Sequence, residues 1–127
     1  MLRLMISAAL CAALAGCGTA PTTATNAESF KRVQDGRYRA SEQPLFVDCV
    51  FDGFLGAQSM AMATHVRQTK RANGYRIDVI AQAFQYIVAD IRDDGTYELR
   101  RSKYSEALPF DKEINASEAC LKQFAAQ

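Results

Sequence analysis

The sequence predicts an α+β domain: an antiparallel meander of three to four strands, with helices packed on one face of the sheet and one disulfide linking them. Residues 64–104 alternate between apolar and polar side chains and are interrupted by glycine-containing turns, as expected of antiparallel strands. The segments before and after this region have the apolar spacing of helices. Helices that flank a run of strands favour a helix layer packed against one sheet.

The first residues have the pattern of an export signal. Arg3 is followed by an uninterrupted run of apolar and small residues from Leu4 to Gly16. This run is too short to span a bilayer, which needs about twenty apolar residues. A basic start, a short apolar stretch and small residues at a cleavage point are typical of a secretory signal. Residues 1–16 are therefore predicted to be a removable signal peptide.

The tetrapeptide Leu-Ala-Gly-Cys at residues 14–17 resembles the lipobox of bacterial lipoproteins, and this resemblance covers only residues 1–17. It implies that a diacylglycerol is attached to the thiol of Cys17, that the chain is cleaved before Cys17 and that the new amino group is acylated. Because Gly18 rather than an aspartate follows, the resemblance favours the outer membrane, with the domain facing the periplasm. The alternative is ordinary secretion, since the small residues at positions 13 and 15 also fit simple signal cleavage.

The cysteine count indicates an oxidising compartment. If Cys11 leaves with the signal and Cys17 carries lipid, the mature chain retains only Cys49 and Cys120. Two thiols in a periplasmic protein usually pair. Their bridge would close a loop of about seventy residues and stabilise the fold by about 4 kcal/mol. The alternative is two unpaired buried thiols.

Composition divides the mature chain into two parts. Residues 17–29 are small and polar after the cysteine, which predicts a lipidated residue followed by a flexible tether. Residues 30–127 are predicted to form the single domain. The mature chain has 14 basic and 14 acidic residues once Arg3 is removed, and this balance gives no indication of nucleic-acid binding.

Three segments have helical patterns. The first, residues 26–36, would be capped by Asn26 and end at Gly36. The second begins after Ser41 with Pro44 in its first turn and continues through residues 45–57, although a strand over residues 45–51 is an alternative. The third would begin at Asn115 as a capping box, with Cys120, Leu121 and Phe124 on its inner side.

Four segments have strand patterns. Residues 65–71 are polar on both faces and suit only an edge strand, and Asn73-Gly74 marks a hairpin to residues 75–81. Residues 84–92 and 96–101 are separated by the turn Asp93-Asp94-Gly95. A three-residue turn with left-handed Gly95 would pair Ile91 with Tyr97 and Ala89 with Leu99, which keeps apolar residues on one face. The apolar residues from 77 to 91 also fit a helix, and only the β-branched content and the turns favour strands.

Candidate binding residues are basic and lie around this predicted sheet. They are Arg67, Lys70, Arg71, Arg76, Arg100 and Arg101. If several of them share the uncovered face, they would suit phosphate groups of membrane lipid or an acidic protein. The alternative is a solvated edge whose charges prevent aggregation.

The sequence contains no motif for a catalytic, metal or cofactor site. The single histidine, His65, has no second ligand at metal spacing, and Asp48 and Asp52 have the spacing of a solvated helix stripe. We therefore expect a membrane-anchored, non-enzymatic binding or accessory module whose partner is an envelope protein or cell-wall material. The alternative is a small envelope hydrolase whose site is assembled from residues distant in sequence, with these three residues as candidates.

Overall fold

The computed structural model describes residues 20–106 and 108–127. The predicted signal peptide and the lipidation site Cys17 lie outside these residues. The elements follow the order β1 (Phe30–Arg37), α1 (Gln43–Gly56), β2 (Thr64–Arg71), β3 (Gly74–Ala81), β4 (Phe84–Arg92), β5 (Thr96–Ser102) and α2 (Asp111–Gln123). Within the described part of the chain, no helix is long and apolar enough to cross a membrane.

The sheet has five antiparallel strands in the order β1-β5-β4-β3-β2. Strands β2 to β5 form the predicted meander, which confirms the α+β class. The β4–β5 turn places Ile91 opposite Tyr97 and Ala89 opposite Leu99, with Gly95 at a φ of 87°, as the three-residue turn predicts. The β2–β3 hairpin also forms, but its loop is Ala72-Asn73, and Gly74 is the first residue of β3.

The predicted helix at residues 26–36 is wrong. Only residues 27–29 form a short 3-10 turn, and residues 30–37 form β1, which pairs with β5 at the end of the sheet. The register shifts between Arg32 and Gln34, so Val33 sits at a bulge and its side chain is 40% exposed. Long-range pairing with β5 therefore determines the secondary structure of this segment. Its few apolar residues do not form a buried helix face.

Both helices pack against the same side of the sheet, which we call the inner face. Helix α1 contributes Phe46, Val50 and Phe54 to a core that contains the apolar residues of β3, β4 and β5. Helix α2 lies beside α1 and contributes Cys120. The strand alternative for residues 45–51 and the helix alternative for residues 77–91 are therefore excluded.

The disulfide joins the two helices, as predicted. Cys49 of α1 is bonded to Cys120 of α2, with an S–S distance of 2.07 Å and a Cα–Cα distance of 5.9 Å. These values are ordinary for a disulfide. The bond links two residues that are 71 positions apart in sequence, and it holds α1 and α2 side by side.

Helix α2 begins at Asp111, four residues before the predicted cap at Asn115. No side chain caps this end, and the preceding residue, Phe110, is buried in the core. The helix start is therefore set by the anchoring of Phe110 rather than by capping. Asn115 is an exposed residue in the body of the helix.

The opposite side of the sheet, which we call the outer face, is crossed by the N-terminal segment. Thr23, which lies within the predicted tether, donates its backbone N–H to Gln85 Oε1 at 3.0 Å. Its hydroxyl accepts a hydrogen bond from Arg76 Nη1 at 2.8 Å. The chain therefore leaves the domain from the side that the helices do not cover.

Candidate binding face

The outer face of the sheet carries most of the predicted basic residues. Strand alternation places Arg67 and Arg71 of β2, Arg76 of β3 and Arg100 of β5 on this face. The sequence analysis predicted these four residues as part of one binding surface, and the structure brings them together. Whether they bind a ligand stays a prediction.

Lys70 and Arg101 do not belong to this group. Lys70 lies on the inner side of β2, where its Nζ is 4.3 Å from the ring centre of Tyr75. Arg101 stabilises the loop before α2, because its Nη2 donates hydrogen bonds to the backbone oxygens of Ser105 at 2.6 Å and Leu108 at 2.5 Å. Arg101 therefore has a structural contact that accounts for its charge.

Asp78 forms the first of two ion-pair networks on the outer face. Its carboxylate is fully buried and accepts from Arg67 at both oxygens, with Nε–Oδ1 at 3.1 Å and Nη2–Oδ2 at 2.6 Å. Gln85 Nε2 donates to the same Oδ2 at 2.7 Å. The hydrogen bond to Asp78 raises the pKa of Arg67, as expected of a guanidinium that donates to a carboxylate.

Asp90 forms the second network. Arg76 donates to both of its oxygens at 2.8 and 3.1 Å, and Arg100 Nη2 donates to Oδ2 at 2.6 Å. Burial raises the pKa of Asp90, but the hydrogen bonds and charges of Arg76 and Arg100 outweigh it and hold the pKa below its ordinary value. The carboxylate therefore fixes two guanidinium groups in one geometry.

Several grooves open on this face, and two neighbouring ones are lined by the arginines of β2 and β3. The larger has a volume of about 520 Å³ and lies between the N-terminal segment and the outer face of β2 and β3. Its lining includes Thr22, Thr23, Ala24, Arg67, Thr69, Arg71, Arg76, Ile80, Ala83 and Gln85.

The smaller groove has a volume of about 230 Å³ and combines four arginines with two carboxylates. The arginines are Arg71, Arg76, Arg92 and Arg100, and the carboxylates are Asp90 and Glu98. This groove therefore has a net positive charge and has room for an anionic group such as a phosphate or a carboxylate.

Strand β2 forms one open edge of the sheet. It pairs only with β3 among the described strands, and residues 67–71 are all exposed. The strand contains Arg67, Lys70 and Arg71 and no acidic residue. Met60, in the loop before β2, is 97% exposed. This edge therefore combines unpaired backbone groups with a local excess of positive charge.

The three candidates for a hydrolytic site lie apart from this face or at its margin. Asp48 and Asp52 are exposed on α1, and His65 is exposed on β2. None of the three lines either groove. Over residues 20–106 and 108–127, no group of three or more His, Cys, Asp or Glu side chains has the geometry to hold a metal ion.

The chain matches no protein-family model, no curated protein and no solved structure.

The sequence analysis missed the acidic members of the networks and Arg92. Asp78 and Asp90 each occupy a strand position with apolar neighbours on both sides in sequence. A carboxylate in such a strand is buried unless it lies at an edge, and a buried carboxylate needs a basic partner. The partners were not identifiable without the strand register.

Proposed function

We propose that the mature chain is a bacterial envelope lipoprotein, anchored by lipid at Cys17, whose domain is a non-enzymatic binding module. The resemblance of residues 14–17 to a lipobox supports the anchor, and Gly18 in place of an aspartate supports the outer-membrane location. Several acyl chains hold a soluble domain on a membrane almost permanently, because each buried methylene contributes about 0.8 kcal/mol. The proposed module faces the periplasm.

The open edge of β2, a strand with three basic residues and no acidic one, supports a specific mode of binding. An extended segment of a partner would add as a further strand and pair with the free backbone groups of β2. Lys70 is exposed on the side of β2 that faces away from the arginines of the outer face, so an acidic side chain on that segment would meet it and favour this partner. We therefore propose that the partner is an envelope protein that presents an acidic, extended segment.

The opposite edge is the less suitable of the two. Strand β1 contains Asp35 as well as three basic residues, and a bulge interrupts its register near Val33. Bulges protect sheet edges from pairing. Strand β2 has no such interruption, because its residues pair one to one with those of β3 along the whole strand. The bulge in β3 affects only its pairing with β4.

Site-specific photocross-linking in intact envelopes tests this mode. A photoreactive residue is placed at Gln68 of β2, and matched exposed controls are placed at Lys31 of β1 and Glu118 of α2. We expect a cross-linked species of defined mass from position 68 only. The variant Lys70→Glu should reduce it severalfold, because an acidic partner is then repelled, and Cys17→Ala should reduce it by releasing the domain from the membrane.

Two results would contradict the proposal. Equal cross-linking from positions 31, 68 and 118 would indicate that β2 is not a specific edge. A species from position 68 that Lys70→Glu leaves unchanged would show that acidic complementarity does not select the partner.

A further inference from the structure

The connection between the proposed lipidation site, Cys17, and the sheet is short. Thr23 is fixed on the outer face by its hydrogen bonds to Gln85 and Arg76. Six peptide units separate it from Cys17, and they span about 20 Å at full extension. A lipid at Cys17 therefore holds the outer face close to the membrane surface, with the helix layer on the far side of the sheet.

The outer face of the sheet and the two helices differ in net charge. Five arginines lie on the outer face of β2 to β5, namely Arg67, Arg71, Arg76, Arg92 and Arg100, and they face three carboxylates, Asp78, Asp90 and Glu98. Their net charge is +2. The two helices on the other side carry five acidic residues and two lysines, a net charge of −3. An anionic surface therefore attracts the sheet side and repels the helix side.

Two arginines of the outer face remain available to contact an anionic ligand. The charges of Arg67, Arg76 and Arg100 are compensated by Asp78, Asp90 and Glu98. Arg71 is exposed and makes no ion pair with any residue that the structure describes, and Arg92 lies 3.7 Å from Glu98 in a weak contact. Both line the smaller groove, where a lipid phosphate can approach them.

We propose that the outer face of the sheet docks on the membrane, with Arg71 and Arg92 in contact with phosphate groups of anionic phospholipid. This inference rests on the lipidation proposed above. It deepens the proposed function, because it orients the domain: the sheet lies flat over the headgroups, and the β2 edge is presented along the membrane plane. A partner strand would then be one that runs close to the membrane surface.

Fluorescence quenching on the reconstituted, acylated protein tests the orientation. A dye is attached at Thr69→Cys on the outer face or at Glu118→Cys on α2; Cys49 and Cys120 are already paired. The vesicles contain phosphatidylcholine with about one third phosphatidylglycerol and a headgroup-labelled quencher lipid. We expect at least about twofold stronger quenching at position 69 than at position 118, since quenching falls steeply with distance from the surface.

Charge variants test the contribution of the arginines. Arg71→Glu combined with Arg92→Glu should reduce the ratio between the two dye positions to near one in the anionic vesicles. The matched control, Lys112→Glu combined with Lys122→Glu on α2, changes the net charge equally and should leave the ratio high. If the double arginine variant unfolds at a lower temperature, Arg71→Glu alone carries the test, because this side chain is exposed.

Each outcome has a distinct meaning. Equal quenching at the two positions in the acylated protein would overturn the docking proposal and leave the lipoprotein proposal standing. An unchanged ratio in the arginine variants would overturn the contact with phosphate. A mature chain whose intact mass shows no acyl group would overturn both proposals.

Discussion

Removal of the disulfide is the perturbation whose effect follows most directly from the structure. The bond between Cys49 and Cys120 closes a loop of 71 residues. In the chain-entropy account, a loop of this length restricts the unfolded chain by about 4 kcal/mol at 25 °C. This is a large share of the 5–15 kcal/mol that stabilises a typical domain.

The expected effect is the same for either cysteine. Cys49→Ala and Cys120→Ala should each lower the free energy of unfolding by about 4 kcal/mol, and the melting temperature by roughly 20 °C for a domain of this size. The double variant should lose no more than either single variant, because all three lack the same bond. Reduction of the wild type by dithiothreitol should reproduce the loss.

Urea unfolding followed by circular dichroism measures these values, with the wild type under oxidising and reducing conditions as the reference. Losses that add in the double variant would refute the reasoning, because they would show that each sulfur contributes through its own packing. A single variant that remains as stable as the wild type would refute it equally.

Three other perturbations have defined outcomes. Burial raises the pKa of Glu113 above its ordinary value of 4.5, and its Oε2 has no hydrogen-bond partner among the described residues. The contribution of Glu113 to the free energy of unfolding is therefore fully present below the pKa of the unfolded chain. It is lost as the pH rises through the pKa of the folded protein. Glu113→Gln should accordingly raise the stability at pH 7 by roughly 1 kcal/mol and not at pH 4, which thermal melts at the two pH values measure. Gly74→Ala should cost more than about 2 kcal/mol, because its φ is 149° and a Cβ would lie 1.9 Å from a backbone oxygen of β4, whereas Gly56→Ala meets no atom within 4 Å and serves as the control; equal melting temperatures would contradict this. Arg67→Ala should cost about 3 kcal/mol by leaving Asp78 buried without its cation, and combining it with Asp78→Leu should recover most of the loss in a denaturant titration.

The meander was predictable because its signals are local. The alternation of apolar residues in β3 and β4 sets their inner face, and the turn at residues 93–95 sets the register of β5. Helix α1 was predictable for a similar reason, since Pro44 fits only its first turn and Phe46, Val50 and Phe54 share one side.

The elements that were mispredicted depend on distant contacts. Strand β1 has too few apolar residues to show an alternation, and it forms because β5 offers a free edge on which it can pair. The start of α2 depends on the burial of Phe110, which the capping pattern at Asn115 obscures. Local patterns therefore failed where tertiary pairing and packing decide the structure.

The candidate site was predictable only in part. The sequence grouped Arg67 and Arg76 around one hairpin, but without the strand register it did not place them on one face or show that Asp78 and Asp90 neutralise most of their charge. The contact between Thr23 and the outer face was also missed, because a small polar segment carries no pattern that predicts packing. These contacts join residues that are 11 to 62 positions apart in sequence.

Mass spectrometry of the intact protein purified from membranes shows whether the chain carries a lipid anchor. We expect a mature chain that begins at Cys17 and carries a thioether-linked diacylglycerol and an acyl group on its amino terminus, and we expect Cys17→Ala to be recovered without lipid. A mature chain that begins elsewhere, or that begins at Cys17 with no added lipid mass, would contradict the proposed anchor.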